Sequence, residues 1–150
     1  MILACGVSAR GYLLTHKAFH VSFSKESFLF AGMLKKIYNF CENAVSAEST
    51  QLEIKNYVII IHESVIRSSG SFKLDRLISY AILRNDKKVN NEIKRYVLPL
   101  LKKITSKFIS IYNGSNLADP SQFESFEREI KKILGSQTNK FDERLTNLIY

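Results

Sequence analysis

Two segments of this chain are apolar at nearly every consecutive position, and they constrain its fold more than any other feature. Residues 57–61 are all apolar, and residues 77–83 are interrupted only by Ser79. Because successive side chains of a β-strand point to opposite faces of the sheet, strands of this kind are buried on both faces. The sequence therefore predicts strands over 57–66 and 74–83, in a sheet with a layer of structure on each side.

The N-terminal part of the chain predicts a hairpin followed by a helix. Residues 2–8 and 11–19 are apolar, β-prone runs, and Gly11 supplies the positive φ that a tight turn requires. Apolar residues at spacings of three and four then predict a helix over 24–45, with Ser24 as its N-cap. The apolar stripe of this helix consists of Phe30, Leu34, Ile37, Cys41 and Val45.

Phe28 is a large apolar residue on the polar side of this first helix. At 100° per residue it lies about 160° from Phe30, among lysine and asparagine side chains. Two interpretations fit this position. Either Phe28 contacts a partner protein, or the beginning of the helix is tucked under a neighbouring loop.

The longest predicted helix runs from 85 to 112 and has an unusually broad apolar side. Its main stripe consists of Val89, Ile93, Val97, Leu100, Ile104, Phe108 and Ile111, and it is widened by Leu98, Leu101, Ile109 and Tyr112. One helix on one sheet does not need so wide an apolar arc, so we expect a second neighbour, either the C-terminal helix or another subunit. The remaining side is basic and carries Lys88, Arg95, Lys102, Lys103 and Lys107.

Pro99 lies inside this helix, where it cannot donate a hydrogen bond to the carbonyl of Arg95. Because Pro99 falls on the basic, solvated side, we expect a kink within one continuous helix. The alternative is a new helix that begins near Leu98. The pair Asn113 and Gly114 predicts the end of the helix.

The C-terminal part predicts further helices and completes a single domain. Asp119 and Pro120 form a helix-start signal, and apolar residues follow at helical spacing as far as Leu134. Residues 136–150 predict a short amphipathic extension. A chain of 150 residues suits one domain, whose core we place over 2–134.

With a short strand over 51–54, the predicted elements follow the order ββ-α-βββ-αα. The informative stretches are the hairpin ILACGVSARGYLLTHKAF, the helix SFLFAGMLKKIYNFC and the strand pair LEIKNYVIIIHES and LDRLISYAILRNDK. In this order they resemble the longin-like (roadblock/longin, SNARE-like) domain family. The later segment PSQFESFEREIKKIL is similar to the last helix of small archaeal longin proteins and clathrin-adaptor small subunits. The resemblance implies an α+β fold, a five-stranded antiparallel sheet with one helix on one face and two to three C-terminal helices on the other.

No constellation of residues in the sequence supports catalysis, a metal site or a cofactor. His16 and His20 are four residues apart but fall near the end of a strand, where this spacing does not place them side by side. The sequence contains no phosphate-binding glycine loop of the NTPase type and no nucleophile elbow. Cys5 and Cys41 fall on apolar faces, where a buried thiol is the expected role. We therefore predict that the protein is not an enzyme.

The family resemblance implies a non-catalytic interaction platform. Its partner would be a small GTPase or another longin/roadblock domain, in GTPase regulation or a process like vesicle trafficking, and a homodimer is one such arrangement. The candidate partner-binding residues are Phe28, Leu98, Leu101, Ile109 and Tyr112. With only two cysteines and no apolar run of membrane-spanning length, we expect a cytoplasmic protein without a transmembrane segment.

The net charge of +8 supports an alternative, a basic module that binds nucleic acid or an anionic membrane surface. The charge is spread through the chain, with no basic tail. Nucleic acid is disfavoured, because Tyr96, Phe108 and Tyr112 lie on or beside apolar faces instead of being available for stacking on bases. Peripheral membrane association stays open.

Overall fold

A five-stranded sheet lies at the centre of the fold in the computed structural model, which describes residues 2–43, 49–70 and 74–135. The strands are β1 (Ile2–Ala9), β2 (Tyr12–Ala18), β3 (Ser49–Ile54), β4 (Tyr57–Arg67) and β5 (Leu74–Arg84). Their order in the sheet is β2-β1-β5-β4-β3, and every neighbouring pair is antiparallel. The predicted α+β class and five-stranded antiparallel sheet are confirmed.

One helix lies between β2 and β3 along the chain, and the other helices follow β5. The first, α1, spans Phe28–Asn43, and the second, α2, consists of the consecutive segments Val89–Glu92, Ile93–Val97 and Leu98–Tyr112. The third, α3, covers residues 126–135, and short 3₁₀ turns occupy Val21–Phe23 and Pro120–Phe123. None of the helices within the described ranges combines the length and the apolarity that crossing a bilayer requires. The predicted extension over 136–150 lies outside the described residues.

The buried apolar side chains form two clusters that use alternate residues of the strands. In β4, Ile59 and Ile61 belong to one cluster, and Val58 and Ile60 belong to the other. The first cluster also contains Phe30, Met33 and Ile37 of α1, and the second contains the inner residues of α2 and α3. The predicted burial of β4 and β5 on both faces is confirmed, because each strand supplies side chains to both clusters.

The first helix begins later than predicted. Ser24 is not its N-cap but ends the 3₁₀ turn that precedes it. Ser27 takes the capping role, because its Oγ accepts a hydrogen bond from the backbone N–H of Phe30 at 3.3 Å. The Ser27 hydroxyl also donates to the carbonyl of Ser22, which ties the cap to the 3₁₀ turn. As a result α1 starts at Phe28.

A wide turn separates the two α-helical parts of α2. The N–H of Leu98 bonds to the carbonyl of Ile93, five residues earlier, so this stretch is π-helical. Pro99 follows directly and is exposed, as predicted. Because its ring crowds the carbonyl of Arg95, a wider preceding turn makes room for the ring. The chain stays helical throughout α2, as expected, while the α-helical pattern restarts at Leu98, as the alternative predicts.

The broad apolar side of α2 is covered by the C-terminal segment. The ring centroid of Phe108 lies 5.3 Å from that of Phe123 and 5.1 Å from that of Phe126. Tyr112 approaches Phe123 edge-on at 4.8 Å. The same cluster includes Leu117, Ile130 and Leu134. Of the two neighbours that the wide arc allows, the structure therefore shows the C-terminal helix.

Candidate functional site

His16 belongs to a buried hydrogen-bonded group that joins β2 to β5. Its Nδ1 lies 2.8 Å from the hydroxyl oxygen of Tyr80, and its Nε2 lies 2.7 Å from the carbonyl oxygen of Phe23. A carbonyl can only accept, so Nε2 carries the proton and Nδ1 accepts a hydrogen bond from the Tyr80 hydroxyl. The imidazole also stacks on Phe30, with ring centroids 4.0 Å apart.

Burial keeps both members of this pair neutral. It lowers the pKa of His16, and it raises the pKa of Tyr80 well above its usual value near 10. Both side chains are enclosed by the cluster under α1, so a substrate has no path to either group. The geometry therefore gives His16 a structural role, that of linking two strands and the turn before α1.

The thiol of Cys5 is buried and unreactive as well. Burial raises the pKa of the Cys5 thiol to about 12, which leaves almost no thiolate at neutral pH. Cys41 lies in α1, but its side chain is outside the described part. Over residues 2–43, 49–70 and 74–135, no three His, Cys, Asp or Glu side chains converge as metal ligands. The described residues thus leave a cleft and two surfaces as candidate sites.

The cleft, of about 340 Å³, opens between the edge strand β3 and the first half of α2. It is lined by Thr50, Gln51, Ile60, Asn90, Ile93, Lys94 and Leu98. Its floor is apolar, and at its rim the Gln51 amide donates to the Asn90 side chain at 3.4 Å. Lys94 is exposed and is the charged residue of this lining, so the cleft has no buried polar group that would select a ligand.

The first surface is an exposed apolar patch where the chain enters α1. We call Val21, Phe28 and Leu29 the entry patch. The side chain of Phe28 is 97% exposed and that of Val21 is 81% exposed. The two residues flank the hydrogen bond between Ser27 and Ser22, which holds the two chain segments together. Of the two interpretations of Phe28, the one in which a loop covers the start of the helix is wrong.

Two contacts lie in the chain between Val21 and Phe28 of the entry patch. The carbonyl of Phe23 accepts the hydrogen bond from His16, and Lys25 forms an ion pair with Glu127 at 3.5 Å. The Phe23 contact anchors this stretch of backbone in the core, whereas the ion pair joins two partly exposed side chains and adds little. A fixed backbone with protruding apolar side chains is the arrangement expected of a docking surface, since little ordering is left to be done on binding.

The other predicted partner-binding residues lie elsewhere. Leu101 is 1% exposed and belongs to the core, so it is not accessible to a partner. It belongs to the buried cluster that also contains the apolar residues of α3 and of the segment before it. Leu98, Ile109 and Tyr112 are partly buried and pack against the same cluster. Only Phe28 of this set protrudes fully. The sequence does not predict Val21 as part of a binding surface, because Val21 precedes the helix and belongs to no periodic pattern.

The second surface is the basic side of α2. All five residues predicted for it are exposed: Lys88, Arg95, Lys102, Lys103 and Lys107. None of them takes part in the ion pairs that the described residues form. Basic residues occur along the whole chain, as expected, but their excess over acidic residues is uneven. Residues 85–112 carry seven basic and two acidic residues, a net +5 out of the total +8.

Comparison with known proteins identifies no relative. No protein-family model, no curated protein and no solved structure matched this chain. The function therefore has to be argued from the surfaces described above.

Proposed function

We propose that this chain is a longin-like interaction domain whose partner is a small GTPase or another longin/roadblock domain, including a second copy of itself. The order of elements along the described chain, ββ-α-βββ-αα, supports this proposal. The division of the helices supports it as well, since α1 belongs to one buried cluster and α2 with α3 to the other. Both features are those that the family resemblance implies.

The entry patch is the observation that carries the proposal. A phenylalanine that is 97% exposed contributes nothing to the core, yet it stands at the first position of a helix whose residues Phe30, Met33 and Ile37 are buried. Phe28 and Val21 together give an apolar projection on a fixed backbone. Large exposed apolar side chains on two chain segments joined by a hydrogen bond are a candidate site for binding another protein.

The expected loss of affinity follows from the burial of the Phe28 side chain in a complex. Full burial of a Phe side chain on binding contributes about 1.5–3 kcal/mol, so Phe28→Ser should weaken a complex that uses the patch about 10- to 100-fold. The free domain should keep its stability, because the side chain makes almost no contacts within it. Tyr12→Ser is the matched control, since Tyr12 is 62% exposed but lies at the β1–β2 turn.

The experiment has two arms. Light scattering during size-exclusion chromatography measures self-association, and titration calorimetry measures binding of purified small GTPases from the same organism, each in its GDP and GTP-analogue forms. We expect one arm to show binding that Phe28→Ser weakens and Tyr12→Ser does not. A strict monomer at high concentration that binds none of the GTPases, or a complex indifferent to Phe28→Ser, would contradict the proposal.

A further inference from the structure

We propose that the basic side of α2 binds the anionic headgroups of a phospholipid bilayer. The charge count is the first reason. Residues 85–112 have a net charge of +5, whereas the other 122 residues together have a net charge of +3. The domain therefore carries most of its charge excess on a single helix and the turn that leads into it. This proposal does not depend on the function proposed for the entry patch.

The placement of these charges is the second reason. Arg95 and Lys102 are seven residues apart and lie on the same side of α2, and Lys103 and Lys107 are neighbours four residues apart on its exposed surface. From Arg95 to Lys107 the helix extends about 18 Å at 1.5 Å per residue. Against these and one further basic residue, Lys94, α2 carries a single acidic residue, Glu92.

Like charges so close together repel one another, and no ion pair among the described residues relieves this repulsion on α2. The four cations lie along the helix at intervals of about a Debye length at physiological ionic strength or less. An anionic surface would relieve the repulsion at all of them simultaneously. Each Lys or Arg near an anionic bilayer raises the partition constant roughly fivefold.

The side chains on this surface favour lipid over nucleic acid. Six of the seven basic residues in 85–112 are lysines, which act as point charges toward phosphate groups, so the neighbouring side chains have to distinguish lipid from nucleic acid. The fully buried Phe108 cannot stack on bases. Ile111, one turn after Lys107, is instead 47% exposed, and an aliphatic side chain beside lysines suits the headgroup boundary of a bilayer.

The test measures co-sedimentation of the full chain with vesicles. The probes are vesicles of phosphatidylcholine alone and vesicles with about one third phosphatidylserine, each over a salt series. The test variant is Arg95→Glu/Lys102→Glu. The matched control is Lys35→Glu/Lys36→Glu, which changes two exposed lysines of α1 and lowers the net charge by the same four units. Because all four side chains are exposed, thermal unfolding midpoints of both variants should stay close to that of the wild type.

We expect the wild type to bind the phosphatidylserine vesicles, not the neutral ones, and to dissociate as salt increases. The variant Arg95→Glu/Lys102→Glu should bind at least about 25-fold more weakly, while the control should change less than about threefold. Equal losses in the two variants would overturn the assignment to α2. Absence of vesicle binding, or binding to DNA or RNA oligonucleotides at a salt concentration that abolishes vesicle binding, would overturn the assignment to lipid.

Discussion

Replacing Gly6 by alanine should destabilise the domain severely, because the Tyr80 side chain, which is hydrogen-bonded to His16, occupies the space beside its Cα atom. Gly6 of β1 is paired with His16 of β2 on one side and with Tyr80 of β5 on the other. Since Gly6 has no side chain, the Tyr80 ring can extend across β1 and reach the imidazole at 2.8 Å. A Cβ atom at Gly6 would lie 2.2 Å from the Tyr80 hydroxyl oxygen and 2.8 Å from the Thr15 carbonyl oxygen.

The expected loss of stability follows from the displacement of the Tyr80 ring. Tyr80 is fully buried, so its ring cannot swing into solvent and must shift against the packed side chains under α1. Overpacking of this kind costs about 1–3 kcal/mol. Separation of the pair also leaves the buried Nδ1 of His16 without its donor, at about 1–3 kcal/mol. We therefore expect Gly6→Ala to lower the free energy of unfolding by about 2–6 kcal/mol, a large part of the 5–15 kcal/mol typical of a domain.

Equilibrium unfolding in urea measures this difference. The control is Gly32→Ala in α1, where a Cβ meets no atom within 4 Å and alanine should stabilise the helix by about 0.5–1 kcal/mol. In a Tyr80→Phe background the closest atom is gone, so Gly6→Ala should cost less there. If Gly6→Ala is as stable as the wild type, or if its cost in stability is unchanged by Tyr80→Phe, then the Tyr80 ring does not depend on the missing side chain at Gly6.

Two further predictions concern the core. Burial lowers the pKa of His16, so the unfolded chain takes up a proton at a higher pH than the folded chain does. The free energy of unfolding should therefore fall as the pH drops below about 6.5, the usual pKa of histidine. In His16→Gln it should fall less steeply, because this group is absent. Urea titrations at several pH values test this, and identical pH dependence in the two proteins would argue against it. Ile60→Asp places an unpaired charge at a position that is 1% exposed, so this variant should not fold, whereas Ile111→Asp, at an exposed position, should fold normally. Thermal melts followed by circular dichroism distinguish the two variants. A cooperative melt of Ile60→Asp would count against a buried β4.

Much of the fold could be predicted because turn glycines and apolar periodicity determine the conformation of the few residues around them. Gly11 and Gly114 have φ of +75° and +89°, which glycine adopts without strain, and they mark the β1–β2 turn and the end of α2 where the sequence predicts them. The start of α1 was missed for a long-range reason. Ser24 and Ser27 are both suitable caps, but Phe23 is buried and bonded to His16, which keeps the residues around it out of the helix.

The candidate surfaces were predictable only in part. A helical wheel identifies Phe28 as an outlier and the lysines of α2 as one side, because both depend on the angle around a single helix. It cannot decide which neighbour covers Leu101, since that depends on the path of the chain beyond Leu117. It also cannot find Val21, which becomes part of a patch only through the hydrogen bond between Ser27 and Ser22.

Hydrophobic periodicity and turn residues are local properties, so they predict the kind and approximate extent of most of the described helices and strands. Tertiary structure alone decided that β5 lies between β1 and β4. Because of that order, the Tyr80 side chain extends across Gly6 and contacts His16, which lies 64 residues earlier in the chain. Tyr80 also belongs to the buried cluster that contains the inner residues of α1. Such a contact depends on which surfaces exclude water together, a property of the assembled layers that no short segment contains.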